Sequence, residues 1–117
     1  SQLKTSPKLT IGKIINNQTP STSPIFVFGD DYSSAFAYHS QRRALTLPDW
    51  DRPRLGLTPR DVLRDSDRYL AGQPVGAVVS IQPISEADLL PSCKIAKQHQ
   101  IEEWHLYLCE PLNNPKT

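Results

Sequence analysis

The chain has 117 residues, of which 38% are hydrophobic and 21% charged, which is typical of one globular domain with its own core. Its formal net charge of +1 argues against a dedicated nucleic-acid-binding protein, because such a chain has no broad basic face. No stretch approaches the roughly 18 apolar residues of a membrane span. The lack of methionine predicts a processed product or a piece of a longer chain.

The first 24 residues are predicted to form an N-terminal helical segment and a connector. Residues 1–18 carry a weakly amphipathic pattern of aliphatic residues, as a surface helix does. Residues 19–24 are polar and contain proline, which is typical of a connecting loop. An α/β domain is then expected over residues 25–110, and residues 111–117 are expected to be a flexible tail.

The first half of residues 25–110 alternates between strand-like and helix-like patterns. The apolar run "PIFVFG" predicts a strand that is buried on both faces. The next stretch, "DDYSSAFAYHSQ", predicts a short helix with an aspartate as its N-cap. "RRALTL" then predicts a second strand. "TPRDVLRDSDRYLAG" predicts one helix, which Thr58 caps and Gly72 ends.

The second half continues the alternation. "VGAVVSI" predicts a third strand. "SEADLLPSCKIAKQHQ" predicts a helix that Ser85 caps and that breaks or restarts near Pro91. "EEWHLYLCE" predicts a fourth strand, one face of which is less buried than the other. The predicted fold class is therefore α/β, with three layers: a mostly parallel four-stranded sheet flanked by helices, in a Rossmann-like topology. The half-polar fourth strand suits an edge of that sheet, where an antiparallel direction is also compatible with its pattern.

Cys93 and Cys109 are the only two cysteines. One interpretation is that they are small buried apolar residues. The other is a disulfide, because a right-handed crossover places the start of the last helix near the end of a parallel fourth strand. Such a bond would require an oxidising compartment. No second cysteine pair is present to form a zinc site.

The stretch "FVFGDDYSS" places two adjacent carboxylates directly after the first predicted strand. Ligands of open α/β sheets bind outside the carboxyl ends of the strands, so one hypothesis is a divalent-metal site with oxygen ligands from Asp30, Asp31, Asp49 and Asp51. A phosphate site is disfavoured, because the acids would repel the anion and no glycine-rich phosphate motif is present. Ordinary helix physics favours a third interpretation, in which the acids cap the next helix and complement its dipole.

The candidate binding residues of this edge combine carboxylates with aromatic and guanidinium groups, which stack on sugars or anions. They are Asp30, Asp31, Tyr32, Tyr38, Arg43 and Trp50. The serines that follow Tyr32 lack the glycine-flanked turn of a hydrolase nucleophile. No catalytic residue, no metal ligand and no cofactor is therefore assigned.

The stretch "VFGDDYSSAFAYHSQRRALTLPDW", residues 27–50, resembles a segment of certain bacterial polytopic membrane glycosyltransferases of the dolichyl-phosphate-mannose–protein mannosyltransferase-like (GT-C) group. In their C-terminal soluble part, a strand ending in Gly-Asp-Asp precedes an aromatic residue, Ser-Ser, a helix with a tyrosine, and an Arg/Lys-Ala-Leu strand that ends at a proline and a tryptophan. The matching residues here are Gly29, Asp30, Asp31, Tyr32, Ser33, Ser34, Tyr38, Ser40, Arg42, Arg43, Ala44, Leu45, Pro48 and Trp50.

The resemblance implies a parent enzyme that uses a polyprenyl-phosphate sugar donor at a membrane-embedded active site, where its catalytic acidic residue lies. It therefore implies that this chain is a non-catalytic, extracytoplasmic (periplasmic) domain of an integral membrane protein. The implied partners are the membrane-embedded remainder of the parent chain and a glycan or lipid-linked acceptor, with no nucleic acid.

An alternative hypothesis rests on the residues alone. It is a free-standing α/β module centred on Asp30 and Asp31 that binds a small molecule or a divalent metal, with hydrolase-like chemistry as one variant. A receiver-like signalling domain is disfavoured, because the third strand ends in Ser80-Ile81-Gln82, without the aspartate and lysine that such a domain needs.

Overall fold

The computed structural model describes residues 6–113 and shows a five-stranded mixed sheet with helices on both faces. The helices are Pro7–Gln18 (α1), Ala35–Ser40 (α2), Arg52–Leu55 (α3), Pro59–Arg64 (α4), Ser66–Leu70 (α5) and Glu86–Leu89 (α6). The strands are Ile25–Phe28 (β1), Ala44–Leu47 (β2), Ala77–Ser80 (β3), Ile95–Ile101 (β4) and Trp104–Cys109 (β5). Their order across the sheet is β2-β1-β3-β5-β4.

One half of the sheet is parallel and is centred on β1. Ile25 pairs with Ala44 of β2 on one side and with Ala77 of β3 on the other, in parallel register. All four residues of β1 are buried, as its continuous apolar run predicts for a strand that is covered on both faces. The carboxyl ends of these three strands therefore meet at one edge of the sheet.

The other half is antiparallel, and the predicted fold class is wrong in this respect. The chain is α/β, but β5 pairs antiparallel with both β3 and β4. The sheet is thus a mixed one of five strands and not a mostly parallel Rossmann-like one of four. The last strand was expected at an edge, whereas β5 lies inside the sheet and β4 forms the edge.

The error arose at β4, which the sequence analysis assigned to a helix. The last helix, α6, ends at Leu89, and the residues from Ile95 to Ile101 form a strand. Glu102 and Glu103 then close a two-residue hairpin turn, with Glu102 at φ 54°, and Ile101 pairs with Trp104 across it. Antiparallel neighbours need only such a tight turn, whereas a parallel strand would need a long crossover.

Two predicted helices also differ from the structure. The single helix over residues 58–72 is two short helices, α4 and α5, separated at Asp65, whose φ of −114° and ψ of 33° leave the helical region. The predicted start of α4 is correct, since Thr58 and Asp61 form a capping box. The helix after β1 begins only at Ala35, with Ser34 at its N-cap, so neither Asp30 nor Asp31 caps it.

Two apolar cores lie on opposite faces of the sheet. One joins Phe26 and Phe28 of β1 to the face covered by α4 to α6, and the other joins Val27 to α1 and α2. Gly12 of α1 lets α2 approach closely, because a Cβ there would lie 2.4 Å from the Cβ of His39. Within the predicted helical segment 1–18, Pro7–Gln18 form α1, which packs against the sheet as part of the fold. Residues 1–5 lie outside the described residues.

The chain returns to α1 after β5. Leu112 packs against the second core, and the Asn113 N–H donates to the carbonyl oxygen of Gln18 at 2.9 Å. The predicted flexible tail is therefore anchored over its described part. Residues 114–117 lie outside the described residues.

Cys93 and Cys109 form a disulfide with a Cα–Cα distance of 5.0 Å. Cys109 is the last residue of β5. Cys93 lies between α6 and β4, two residues before Ile95, which pairs with Cys109. The two cysteines meet because β4 and β5 form a hairpin, and not because of the right-handed crossover from which their proximity was inferred. Both residues are buried in the core under α4 to α6.

Candidate functional site

The loops that follow β1, β2 and β3 converge closely at the carboxyl edge of the parallel half. Gly29 follows β1 directly and has a φ of 93°, which favours glycine. A Cβ at Gly29 would lie 3.0 Å from the Ile81 Cβ and 3.2 Å from the Asp49 Oδ2. A side chain at this position would therefore push the three loops apart.

Asp51 organises the loop after β2. Its side chain is buried, and Arg54 donates to it in bidentate fashion, from Nε to Oδ1 at 2.6 Å and from Nη2 to Oδ2 at 2.9 Å. The Tyr32 hydroxyl donates to the same Oδ2. These charge-assisted bonds tie the loop after β1 to the loop after β2.

The same bonds set the protonation of the cluster. The hydrogen bonds from Arg54 and then from Tyr32 lower the pKa of the Asp51 carboxyl below its ordinary value, and the bond to Asp51 raises the pKa of the Tyr32 hydroxyl. Asp51 is therefore ionised and Tyr32 neutral at pH 7. The stabilising effect of Asp51 is present above its ordinary pKa and is lost as the pH falls through the lowered one.

Tyr32 and Trp50 form an exposed aromatic pair, which we call the aromatic platform. Their ring centroids lie 5.5 Å apart at an interplanar angle of 85°, an edge-to-face arrangement that aromatic rings favour. The side chains are 58% and 66% exposed. Asp51 anchors Tyr32 by its hydroxyl, while the rings of Tyr32 and Trp50 face solvent.

Asp30 and Asp31, the adjacent carboxylates of the sequence, have separate partners. Asp30 is buried and accepts from the Lys8 Nζ of α1 at 2.8 and 3.0 Å. Asp31 is exposed, and its Oδ1 accepts from the Ser33 backbone N–H at 2.9 Å, as in a local Asx turn. Asp30 thus anchors α1 to the edge of the sheet, and Asp31 shapes the loop.

A metal centre finds no support at this edge. Over residues 6–113, no group of three or more His, Cys, Asp or Glu side chains is arranged to hold a metal ion. Asp30 is already paired with Lys8 and Asp51 with Arg54, so their negative charges are compensated by protein cations. The hypothesis of a divalent-metal module centred on Asp30 and Asp31 has no geometric basis in the described residues.

The structure brings together some of the predicted binding residues and separates others. Tyr32 and Trp50 meet in the platform, with Asp31 in the same loop as Tyr32. Tyr38 is exposed on α2, where its ring contacts that of His39. Arg43 is exposed and lies at the amino end of β2, where its carbonyl accepts from the Ile25 N–H, so it is at the opposite edge of the sheet from Trp50.

Three residues support this edge in ways that the sequence did not indicate: Lys8 and Arg54, to which no role was assigned, and Asp51, which was considered only as a candidate metal ligand. The spacing of Asp51 and Arg54, three residues apart at the start of a short helix, is a signal that a sequence can provide. Lys8 could not be found in this way, because 22 residues separate it from Asp30. Tyr32 and Asp51 are likewise 19 residues apart.

Comparison with known proteins provides no relative for this chain: no protein-family model, no curated protein and no solved structure matches it. Between residues 6 and 113, none of the helices has the length and apolar character needed to cross a membrane. The function of this chain is therefore inferred from the geometry of the edge and from the resemblance of residues 27–50.

Proposed function

We propose that this chain is a non-catalytic extracytoplasmic domain of a membrane glycosyltransferase that uses a polyprenyl-phosphate sugar donor. Its aromatic platform assists recognition of the glycan or the lipid-linked acceptor. The observation that carries this proposal is the exposure of Tyr32 and Trp50 at the carboxyl edge of the sheet, where Asp51, paired with Arg54, holds Tyr32 by its hydroxyl.

Saccharide binding suits the chemistry of the platform. The C–H face of a sugar ring is apolar, so its contact with an exposed indole or phenol ring removes apolar surface from water. Arg54, whose side chain is 71% exposed, uses two N–H groups on Asp51 and retains others for hydroxyl oxygens. Exposed Asp31 adds a carboxylate that can accept from sugar hydroxyls.

Two further features support the location and the partner. The resemblance spans Gly29 to Trp50 and so includes both residues of the platform. The Cys93–Cys109 disulfide is compatible with an oxidising compartment such as the periplasm. The partner in this proposal is the membrane-embedded remainder of the parent chain, which would contain the catalytic site. The metal-binding alternative is not proposed, because Asp30 and Asp31 have separate partners.

The platform can be tested by titration with a panel of linear tetrasaccharides of glucose, mannose and galactose, followed by calorimetry. We expect at least one of them to bind, and Trp50→Ala to weaken its affinity by about tenfold, which corresponds to roughly 1.4 kcal/mol of lost contact. Tryptophan fluorescence of the unmutated chain should report the same binding, because Trp50 is exposed whereas Trp104 is 4% exposed.

Tyr38→Ala is the matched control, because Tyr38 is 70% exposed and lies outside the platform. It should leave the affinity unchanged. The platform proposal is contradicted if no tetrasaccharide binds, or if Tyr38→Ala weakens binding as much as Trp50→Ala does.

A further inference from the structure

A cleft of about 540 Å³ lies at the carboxyl edge of the sheet, and Asp49, the residue before Trp50, belongs to its lining. It opens at the carboxyl ends of β1 and β3, between α4 and α6, and we call it the α4–α6 cleft. Its size falls within the range of roughly 300–1,000 Å³ that is typical of small-ligand sites. Its position at the carboxyl ends of parallel strands is where α/β sheets bind ligands.

The lining of the cleft combines apolar side chains with hydrogen-bond donors and acceptors. Phe28 and Ile84 contribute apolar surface, and Gln82 contributes an amide that both donates and accepts. Arg60 and Asp88, which also line the cleft, form an exposed ion pair with an N–O distance of 3.7 Å. A ligand with many hydroxyl groups, each a donor and an acceptor, matches this mixture.

The charges of the lining argue against an anionic ligand. Two arginines, at positions 60 and 64, are opposed by three carboxylates, at positions 49, 61 and 88, so an inorganic phosphate would meet net repulsion. Asp61 accepts hydrogen bonds from Thr58 at 2.8 and 3.1 Å, which lower the pKa of its carboxyl. A neutral ligand avoids the repulsion and still finds donors and acceptors.

The loop after β2 connects the cleft to the platform. Asp49 lines the cleft, and Trp50, the next residue, belongs to the platform. Consecutive Cα atoms are only about 3.8 Å apart. The backbone of the platform and that of the cleft wall therefore meet at this turn, which is where a glycan would pass from one to the other.

We propose that the α4–α6 cleft is a second saccharide subsite, which holds one sugar ring of a glycan whose neighbouring ring lies on the aromatic platform. This inference rests on the proposed function of the platform. Two linked subsites make the second contact intramolecular, so a tetrasaccharide should bind more tightly than the matching methyl monosaccharide.

The subsite can be mapped by ¹⁵N NMR with the tetrasaccharide that binds best. We expect shifts of backbone amides at Tyr32 and Trp50 and also at Gln82 and Arg64, whereas sodium phosphate should cause no shift in the cleft. Gln82→Ala and Arg64→Gln should each weaken the tetrasaccharide by about fivefold or more. Gln98→Ala, an exposed glutamine on the far edge strand β4, should have no effect.

The outcomes separate the two proposals. Shifts confined to the platform, together with unchanged affinity in Gln82→Ala and Arg64→Gln, would overturn the cleft subsite and leave the platform intact. Binding that survives Trp50→Ala but is lost in the two cleft variants would place a saccharide in the cleft alone, and would overturn both the platform and the linked pair of subsites. The absence of binding by every saccharide in the panel would overturn both.

Discussion

Replacement of Arg42 by alanine is expected to lower the free energy of unfolding by about 3–5 kcal/mol, because it leaves several buried acceptors without donors. Arg42 is only 8% exposed, and its Nε donates to the Thr19 Oγ1 at 3.1 Å. Its Nη2 donates to the carbonyls of Asn16 and Thr19 at 3.0 and 2.9 Å. Its Nη1 donates to those of Ser40 and Gln41 at 3.3 and 3.1 Å.

These acceptors lie at the carboxyl ends of α1 and α2. The last carbonyls of a helix have no partner within the helix, and they carry partial negative charge. The guanidinium of Arg42 satisfies carbonyls of both helices at once and so joins them. Burial lowers the pKa of Arg42, and the helix ends supply compensating negative charge in the absence of a paired carboxylate among the described residues.

Urea denaturation at pH 7 measures this effect, and the sequence offers a matched control. Arg43, the next residue, is exposed, so Arg43→Ala should change the free energy of unfolding by no more than about 0.5 kcal/mol. Arg42→Lys should also destabilise the fold, because one ammonium group cannot replace the planar set of donors. Equal effects of Arg42→Ala and Arg43→Ala would contradict the helix-joining role.

Removal of the disulfide is the second large effect that we expect. The cysteines are 16 residues apart, and closure of a loop of that length stabilises a fold by about 3 kcal/mol in the chain-entropy description. The double variant Cys93→Ala, Cys109→Ala should therefore unfold at a lower urea concentration than the oxidised chain. The effect is expected throughout the hairpin, because the bond ties Cys93 to the end of β5.

Reductant provides the control for this second prediction. Dithiothreitol, added during unfolding and refolding in urea, should lower the midpoint of the unmutated chain towards that of the double variant. It should leave the double variant itself unchanged. A midpoint for the unmutated chain that does not respond to reductant would show that the disulfide contributes little to stability.

Local patterns predicted the parallel half of the fold well. The apolar run from Ile25 to Phe28 indicated a fully buried strand because no polar residue interrupts it, and β1 is such a strand. The Thr58 cap of α4 was also predictable, since the spacing of Thr58 and Asp61 is a local signal.

The antiparallel half was not predicted, because its signals compete. The seven residues of β4 include four polar ones, and a helix start at Ser85 made a continued helix plausible. The structure satisfies that start with only one turn, α6. What fixes β4 as a strand is its pairing with β5, a tertiary contact that local sequence does not contain.

The candidate edge shows the same limit. Arg43 was assigned to the binding set, but no local pattern distinguishes it from Arg42, and the two side chains have opposite environments. Burial of Arg42 depends on Asn16 and Thr19, which are 26 and 23 residues away. Tyr32 and Trp50 were predicted as candidate binding residues, but their contact with each other was not. The position of Tyr32 depends on its hydrogen bond to Asp51, which is 19 residues away.

The central proposal, that this domain belongs to a membrane glycosyltransferase, is tested most directly on the native polypeptide. An antibody raised against the domain would be used on membrane and non-membrane fractions of the source cells. We predict a band in the membrane fraction several times larger than the 13.1 kDa of this chain. A band near 13.1 kDa in the non-membrane fraction would contradict the proposal.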